Sequence, residues 1–107
     1  MIKNTFDLEI MIKNPKGTET KKYDIKAELD KEDGEHYGNG YHLYLTGNEF
    51  GERLLDIRYD TSFNEDKPLD YIINTLKNMY SGEKHSWVLV GVKCMGNLIY
   101  GNIEDWY

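Results

Sequence analysis

FDLEIMIKNPKGTETKKYDIKAEL, residues 6–29, contains two stretches of strict alternation around a turn. Phe6, Leu8, Ile10 and Ile12 take every second position, with Asp7, Glu9, Met11 and Lys13 between them. Tyr23, Ile25, Ala27 and Leu29 repeat the pattern against Asp24, Lys26 and Glu28. Successive side chains on a strand point to opposite faces, so a period of two marks two half-buried strands. Asn14-Pro15-Lys16-Gly17 joins them, with proline presetting φ and glycine accepting a positive one. The expectation is an antiparallel hairpin with one face in a core and one in water.

Working outward, Asp30 to Gly40 is polar and ends in the tight-turn pair Asn39-Gly40. Tyr41 to Thr46 reads as a third strand with Tyr41, Leu43 and Leu45 on one side. Arg53 to Asp60 reads as a fourth, with Leu55, Ile57 and Tyr59 on one face. The period then changes. Leu69, Ile72, Ile73, Leu76 and Tyr80 form one stripe of a helix. Asn64 or Asp66 can cap its start, Pro68 fits the first turn, and Ser81-Gly82 supplies the stop. Ser86 to Met95 is a fifth strand, whose parity aligns Cys94 with Val88, Val90 and Val92. A hairpin with Gly96 first in its two-residue loop leads to a sixth, Leu98 to Ile103. The predicted order is β-β-β-β-α-β-β. It makes a single α+β domain over residues 1–107, a mostly antiparallel sheet of five or six strands packed on one amphipathic helix.

Composition bounds the function classes. The chain has 107 residues and a net charge of −6, from 13 basic and 19 acidic residues. Phosphate backbones are bound by lysine and arginine, so this balance argues against direct nucleic-acid binding. The single cysteine, Cys94, allows no internal disulfide, which suits a reducing compartment. The first residues do not read as a leader, and no apolar run is long enough to span a membrane. The expected location is cytoplasmic.

No motif identifies a reaction, and the expectation is a protein that is not an enzyme, with no cofactor, metal or catalytic residue. Cys94, aligned with an apolar row, reads as a buried structural thiol. His36, His42 and His85 lack the convergent spacing that zinc needs. Glu32, Asp33 and Glu35 form an acidic loop without the alternating ligand pattern of a calcium site. Asp56 and Asp60 read as surface carboxylates four apart on one strand.

What remains points to a surface. Asp7 and Glu9 on the first strand, with Asp24 and Glu28 on the second, predict a grid of carboxylates on the wet face, extended by Glu32, Asp33 and Glu35. Tyr44, Trp106 and Tyr107 are the candidate aromatic anchors, with a fold-back of Trp106 onto the sheet edge as the alternative. The expected function is a non-enzymatic, acidic protein-binding module. Its sharper form is an inhibitor that blocks the nucleic-acid-binding groove of a larger enzyme. In size and charge alone the chain resembles acidic phage and mobile-element proteins of the antirestriction and anti-CRISPR type. Two alternatives stand beside it. One is a small ligand-binding domain or minor enzyme, with a site between sheet and helix using His42, Asp56 or Tyr59. The other is a homodimeric structural protein joined through an uncovered sheet face or edge.

Overall fold

The alternating segment becomes the middle of the sheet. In the computed structural model, which describes residues 2–31, 40–81 and 87–106, β1 (Ile2–Lys13) and β2 (Thr20–Lys31) are paired antiparallel. Leu8 stands opposite Ile25 and Ile10 opposite Tyr23, so the apolar sets share one face. The turn is closed by the Asn14 carboxamide, whose oxygen accepts the backbone N–H groups of Thr18 (2.9 Å) and Glu19 (3.1 Å). β3 (Tyr41–Gly47) pairs with β2, and β4 (Gly51–Asp56) pairs with β3. The helix α1 (Pro68–Met79) then carries the chain back across one face. β5 (Val88–Cys94) pairs with β1, and β6 (Asn97–Gly101) closes the order β4-β3-β2-β1-β5-β6. A short 3-10 turn, Ile103–Trp106, follows. The six-stranded antiparallel sheet on a single helix is the expected α+β architecture.

The core lies between α1 and the face of Ile10, Ile25, Leu43 and Leu45. Ile72 and Leu76 are the helix residues driven fully into it, at 1% and 0% exposure. Each buried aliphatic side chain of this kind contributes roughly 1.5–3 kcal/mol. Neither expected cap operates. The N-cap position falls on Lys67, which makes no side-chain cap bond. The Pro68 ring disfavours helical backbone at the residue before it, and Lys67 sits at φ −135°, ψ 60°. Asn64 instead builds the preceding turn: its side-chain oxygen accepts the Asp66 N–H, and its carbonyl accepts the Lys67 N–H.

Three local readings are corrected. The fourth strand ends at Asp56 rather than Asp60. The Asp56 carboxylate accepts the Arg58 N–H at 3.1 Å and turns the chain, leaving Ile57 buried but Tyr59 65% exposed. In β5 the register skips Val90: Gly91 faces Met11 while Leu89 faces Ile12. That bulge puts Leu89 on the core face with Val92 and turns Val88 outward to 38% exposure, so no row of three valines forms. Cys94, opposite Leu8, is only partly buried. Last, Cys94 pairs with Asn97, so the hairpin loop is Met95-Gly96 rather than Gly96-Asn97. Both loop residues have positive φ, 50° and 84°, as a type I′ turn requires.

Candidate functional site

α1 covers one face of the sheet, and the other, open face collects the even-numbered residues of β2 and the odd-numbered residues of β1. All four carboxylates expected in the grid lie there. Glu9 stands directly opposite Asp24, Asp7 opposite Lys26, and Glu28 opposite Tyr44. The register carries the face further than the sequence reading took it. Asp30 aligns with His42 and then Asp56, while Tyr44 aligns with Leu54. Glu52 stands opposite Thr46. Lys93 stands opposite Glu9 on the other side. Strand parity continued into β4 and β5 is the signal that would have found Glu52, Leu54 and Lys93. The grid is therefore acidic but interrupted: Lys26 lies between Asp24 and Glu28 along the strand, and Lys93 borders Glu9.

The face is concave near its middle. A trough of 570 Å³ has Asp7, Glu9, Asp24 and Lys26 along its floor; the β3–β4 turn and the β5–β6 hairpin form its sides. The carboxylates Glu9 and Asp24 are a like-charge pair directly opposed on neighbouring strands, an arrangement that costs stability unless cations answer it. Tyr44 and Leu54 add apolar surface at the β4 side; Leu54 is 72% exposed on an edge strand. Partial loss of water, then the Glu52 charge and hydrogen bond, then Glu28, raise the Tyr44 phenol above its ordinary range. It is a neutral hydrogen-bond donor among acids.

Trp106 is not an exposed anchor. It is 7% exposed and folded back onto the open face over Gly91, where a Cβ would meet indole atoms at 2.8–3.1 Å. Gly91 pairs with Met11, which is fully buried yet stands outside the main core. Trp106 therefore covers Gly91, on the side of the sheet to which Met11 points. Lys22 and Lys93 flank its ring at 5.2 and 4.5 Å from the centroid. Glu32, Asp33, Glu35 and Tyr107 lie outside the described residues, as do His36 and His85.

The alternative site is not assembled where it was expected. His42 and Asp56 lie on the open face, opposite the helix, because strand parity places them with Tyr44 and not with Leu43. Their closest approach is 3.8 Å, between Nε2 and Oδ1. Asp56 is engaged by the Arg58 guanidinium at 2.8 Å, which with the Arg58 N–H holds its carboxyl at about 2. Tyr59 points to solvent. No group of three or more His, Cys, Asp or Glu suited to a metal ion occurs among the described residues. Burial, aided by the Asp7 charge, raises the Cys94 thiol, which lowers its thiolate fraction.

A carboxylate–phenol pair at the N-terminal end of α1 gives a pH-dependent test of the fold. Asp60 accepts from the Ser62 hydroxyl and N–H and from the Tyr71 hydroxyl, and these bonds lower its pKa in that neighbourhood. Burial first, then the bond to Asp60 and its charge, push Tyr71 up to about 12. The depressed acid contributes stability above its unfolded pKa of about 4, lost as pH falls. The raised phenol contributes stability fully present below about pH 10 and lost as pH climbs through its folded value. Tyr71→Phe should cost about 1 kcal/mol near neutrality, after discounting for solvent exposure, and should make the alkaline loss smaller by the share that Tyr71 carries. It should also move the Asp60 carboxyl titration upward. Denaturant unfolding against pH and carbon NMR of Asp60 measure both; an unmoved Asp60 titration would refute the coupling.

No helix among the described residues is long and apolar enough to cross a membrane. No protein-family model, no curated protein and no solved structure matches this chain.

Proposed function

We infer that this chain is a non-enzymatic protein-binding module whose open sheet face meets a basic surface on its partner. The observation that supports this reading most is the placement of Asp7, Glu9, Asp24, Glu28, Glu52 and Asp56 on the one face that the helix leaves uncovered. Half-buried Tyr44 and exposed Leu54 give that face an apolar foothold beside its charges. Charge speeds encounter and selects partners, while a desolvated aromatic or aliphatic anchor holds them. The sharper form of the reading is an inhibitor, of the antirestriction or anti-CRISPR kind, that fills a nucleic-acid-binding groove of a larger enzyme. Its carboxylates, roughly 7 Å apart along each strand, would lie where phosphates otherwise do. A face-to-face homodimer is disfavoured by the same acids, since it would set identical carboxylate arrays against each other.

The test is affinity capture at low salt from the cell that makes the protein, with the wild type beside an Asp24→Lys/Glu28→Lys variant. Asp24→Lys turns the Glu9–Asp24 opposition into an opposite-charge pair, which does not oppose the pairing of β1 with β2, and the dispersion of the amide spectrum verifies that the double variant is folded. The expected result is a stoichiometric nucleic-acid-binding partner that added DNA or RNA displaces. The variant should bind it at least about tenfold more weakly, with a shallower salt dependence. A partner held equally by both proteins, or no stoichiometric partner, overturns the reading.

A further inference from the structure

The helix is shorter than the strands it covers. Twelve residues of α1 span about 18 Å, against about 40 Å for twelve residues of β1 or β2. On the core face, beyond the C-terminal end of α1, the described residues form a cleft of 510 Å³. Ile12 and Tyr80, both buried, form its floor, and Leu89 ties the helix end to β5 by donating its N–H to the Tyr80 carbonyl at 3.1 Å. Tyr23, Phe50, Met79 and Trp87 line the sides. Phe50 and Tyr80 are 6.5 Å apart between centroids and tilted by 51°. Among the described residues, the charged groups that line the cleft are Lys21, Arg53 and Glu49.

The volume falls in the range of small-molecule sites, which are mostly apolar and aromatic with a few charged groups that orient the ligand. The charge here runs against that of the molecule. In a chain of net −6, the described charged residues lining this aromatic cleft are two cations and one carboxylate. Parity sets Lys21 opposite Ile12 and Arg53 opposite Leu45, so both cations project on the core face rather than into the acidic open face. Lys21 already lies over the Trp87 ring at 4.6 Å. We propose that this cleft binds a small aromatic monoanion, its ring against Trp87, Tyr80 and Phe50 and its carboxylate against Arg53 and Lys21. The site is independent of the open face, and it differs from the sheet–helix site expected at His42, Asp56 and Tyr59.

Two-dimensional amide NMR on the full chain tests it with three probes: phenylacetate, its neutral amide phenylacetamide, and ringless acetate. Phenylacetate should shift the Trp87 indole N–H and the Phe50 and Tyr80 amides saturably. Phenylacetamide and acetate should each bind at least about tenfold more weakly. Arg53→Gln, on an exposed edge strand, should weaken phenylacetate toward the affinity of phenylacetamide and leave phenylacetamide unchanged; Lys21→Gln should act in the same direction, and the double variant should bind acid and amide alike. The dispersion of the amide spectrum verifies that each variant is folded. Equal affinity for acid and amide, shifts confined to the open face, no saturable shift with phenylacetate, or full affinity in folded Arg53→Gln would each overturn the proposal.

Discussion

Trp106→Ala is expected to lower the stability of the domain by about 3–5 kcal/mol, a large share of the 5–15 kcal/mol typical of a whole domain. The indole lies on the backbone of Gly91 and roofs the side of the sheet to which Met11 points. Deleting it exposes a side chain that is now fully buried and frees Lys22 and Lys93 from the ring they flank. The indole N–H finds no hydrogen-bond partner among the described residues, which offsets part of the gain from burying the ring. A double-mutant cycle separates this packing from a general effect of losing a tryptophan. Gly91→Ala places a Cβ 2.8–3.1 Å from the indole and should cost about 1–3 kcal/mol when Trp106 is present. With Trp106→Ala in the background, the same change should be neutral or stabilising, because alanine in a strand interior loses less chain entropy than glycine. Denaturant unfolding of the four proteins reads the cycle. Additive costs would mean that Trp106 does not rest on Gly91 in solution.

The part of this fold written in local periodicity was legible in the sequence. The two-residue alternation of residues 6–13 and 23–29 specifies β1, β2 and their wet face, and the stripe Leu69, Ile72, Leu76, Tyr80 specifies α1. Those patterns placed Asp7, Glu9, Asp24 and Glu28 together, because parity on a strand is a property of the chain alone. Features set by pairing were not legible. The bulge that skips Val90 and exchanges Val88 for Leu89 on the core face arises from the register against β1. The Met95-Gly96 loop accepts a positive φ at methionine, a residue that turn statistics do not favour there. The cleft at the end of α1 follows from a length mismatch between helix and strands, together with the return of Phe50 and Trp87 from distant segments. For the same reason, nothing near Lys21 in the sequence says that Arg53 will share its cleft.

The fold-back of Trp106 and the open face are linked through a row of small residues. Met11, Gly91 and Gly101 are successive register partners across β1, β5 and β6. Two adjacent glycines leave the backbone bare beside Met11, at the width of sheet where the indole sits. A sheet face that exposed this row would present apolar surface at one end and carboxylates at the other. With Trp106 in place, the lysines at its rim border the acids Glu9 and Asp24, and the charged part of the face is held apart from the apolar part. A structural tryptophan thereby shapes the surface proposed to bind.

Gly101→Ala is expected to be the other severe substitution, at about 3 kcal/mol or more, and its cause differs from that of Trp106→Ala. Gly101 ends β6 at φ +91°, outside the backbone region open to other residues at low cost. A Cβ there would stand 2.2 Å from the Val90 carbonyl oxygen and 3.0 Å from the Gly91 Cα. Both obstacles are backbone of the neighbouring strand, so no rotamer change relieves them, and β6 must move away from β5 or unpair. Because Gly101 immediately precedes the segment that carries Trp106 back over Gly91, moving it also withdraws the roof from Met11. The two effects should be separable. In a Trp106→Ala background, Gly101→Ala should keep most of its cost, since the overlap with Val90 does not involve the indole, whereas Gly91→Ala should lose all of its cost. Amide exchange gives the local reading: protection should fall first at β5 and β6 and persist in the β1–β2 hairpin. A Gly101→Ala protein that unfolds at the wild-type denaturant midpoint would show that the close approach of β6 to Val90 is absent in solution.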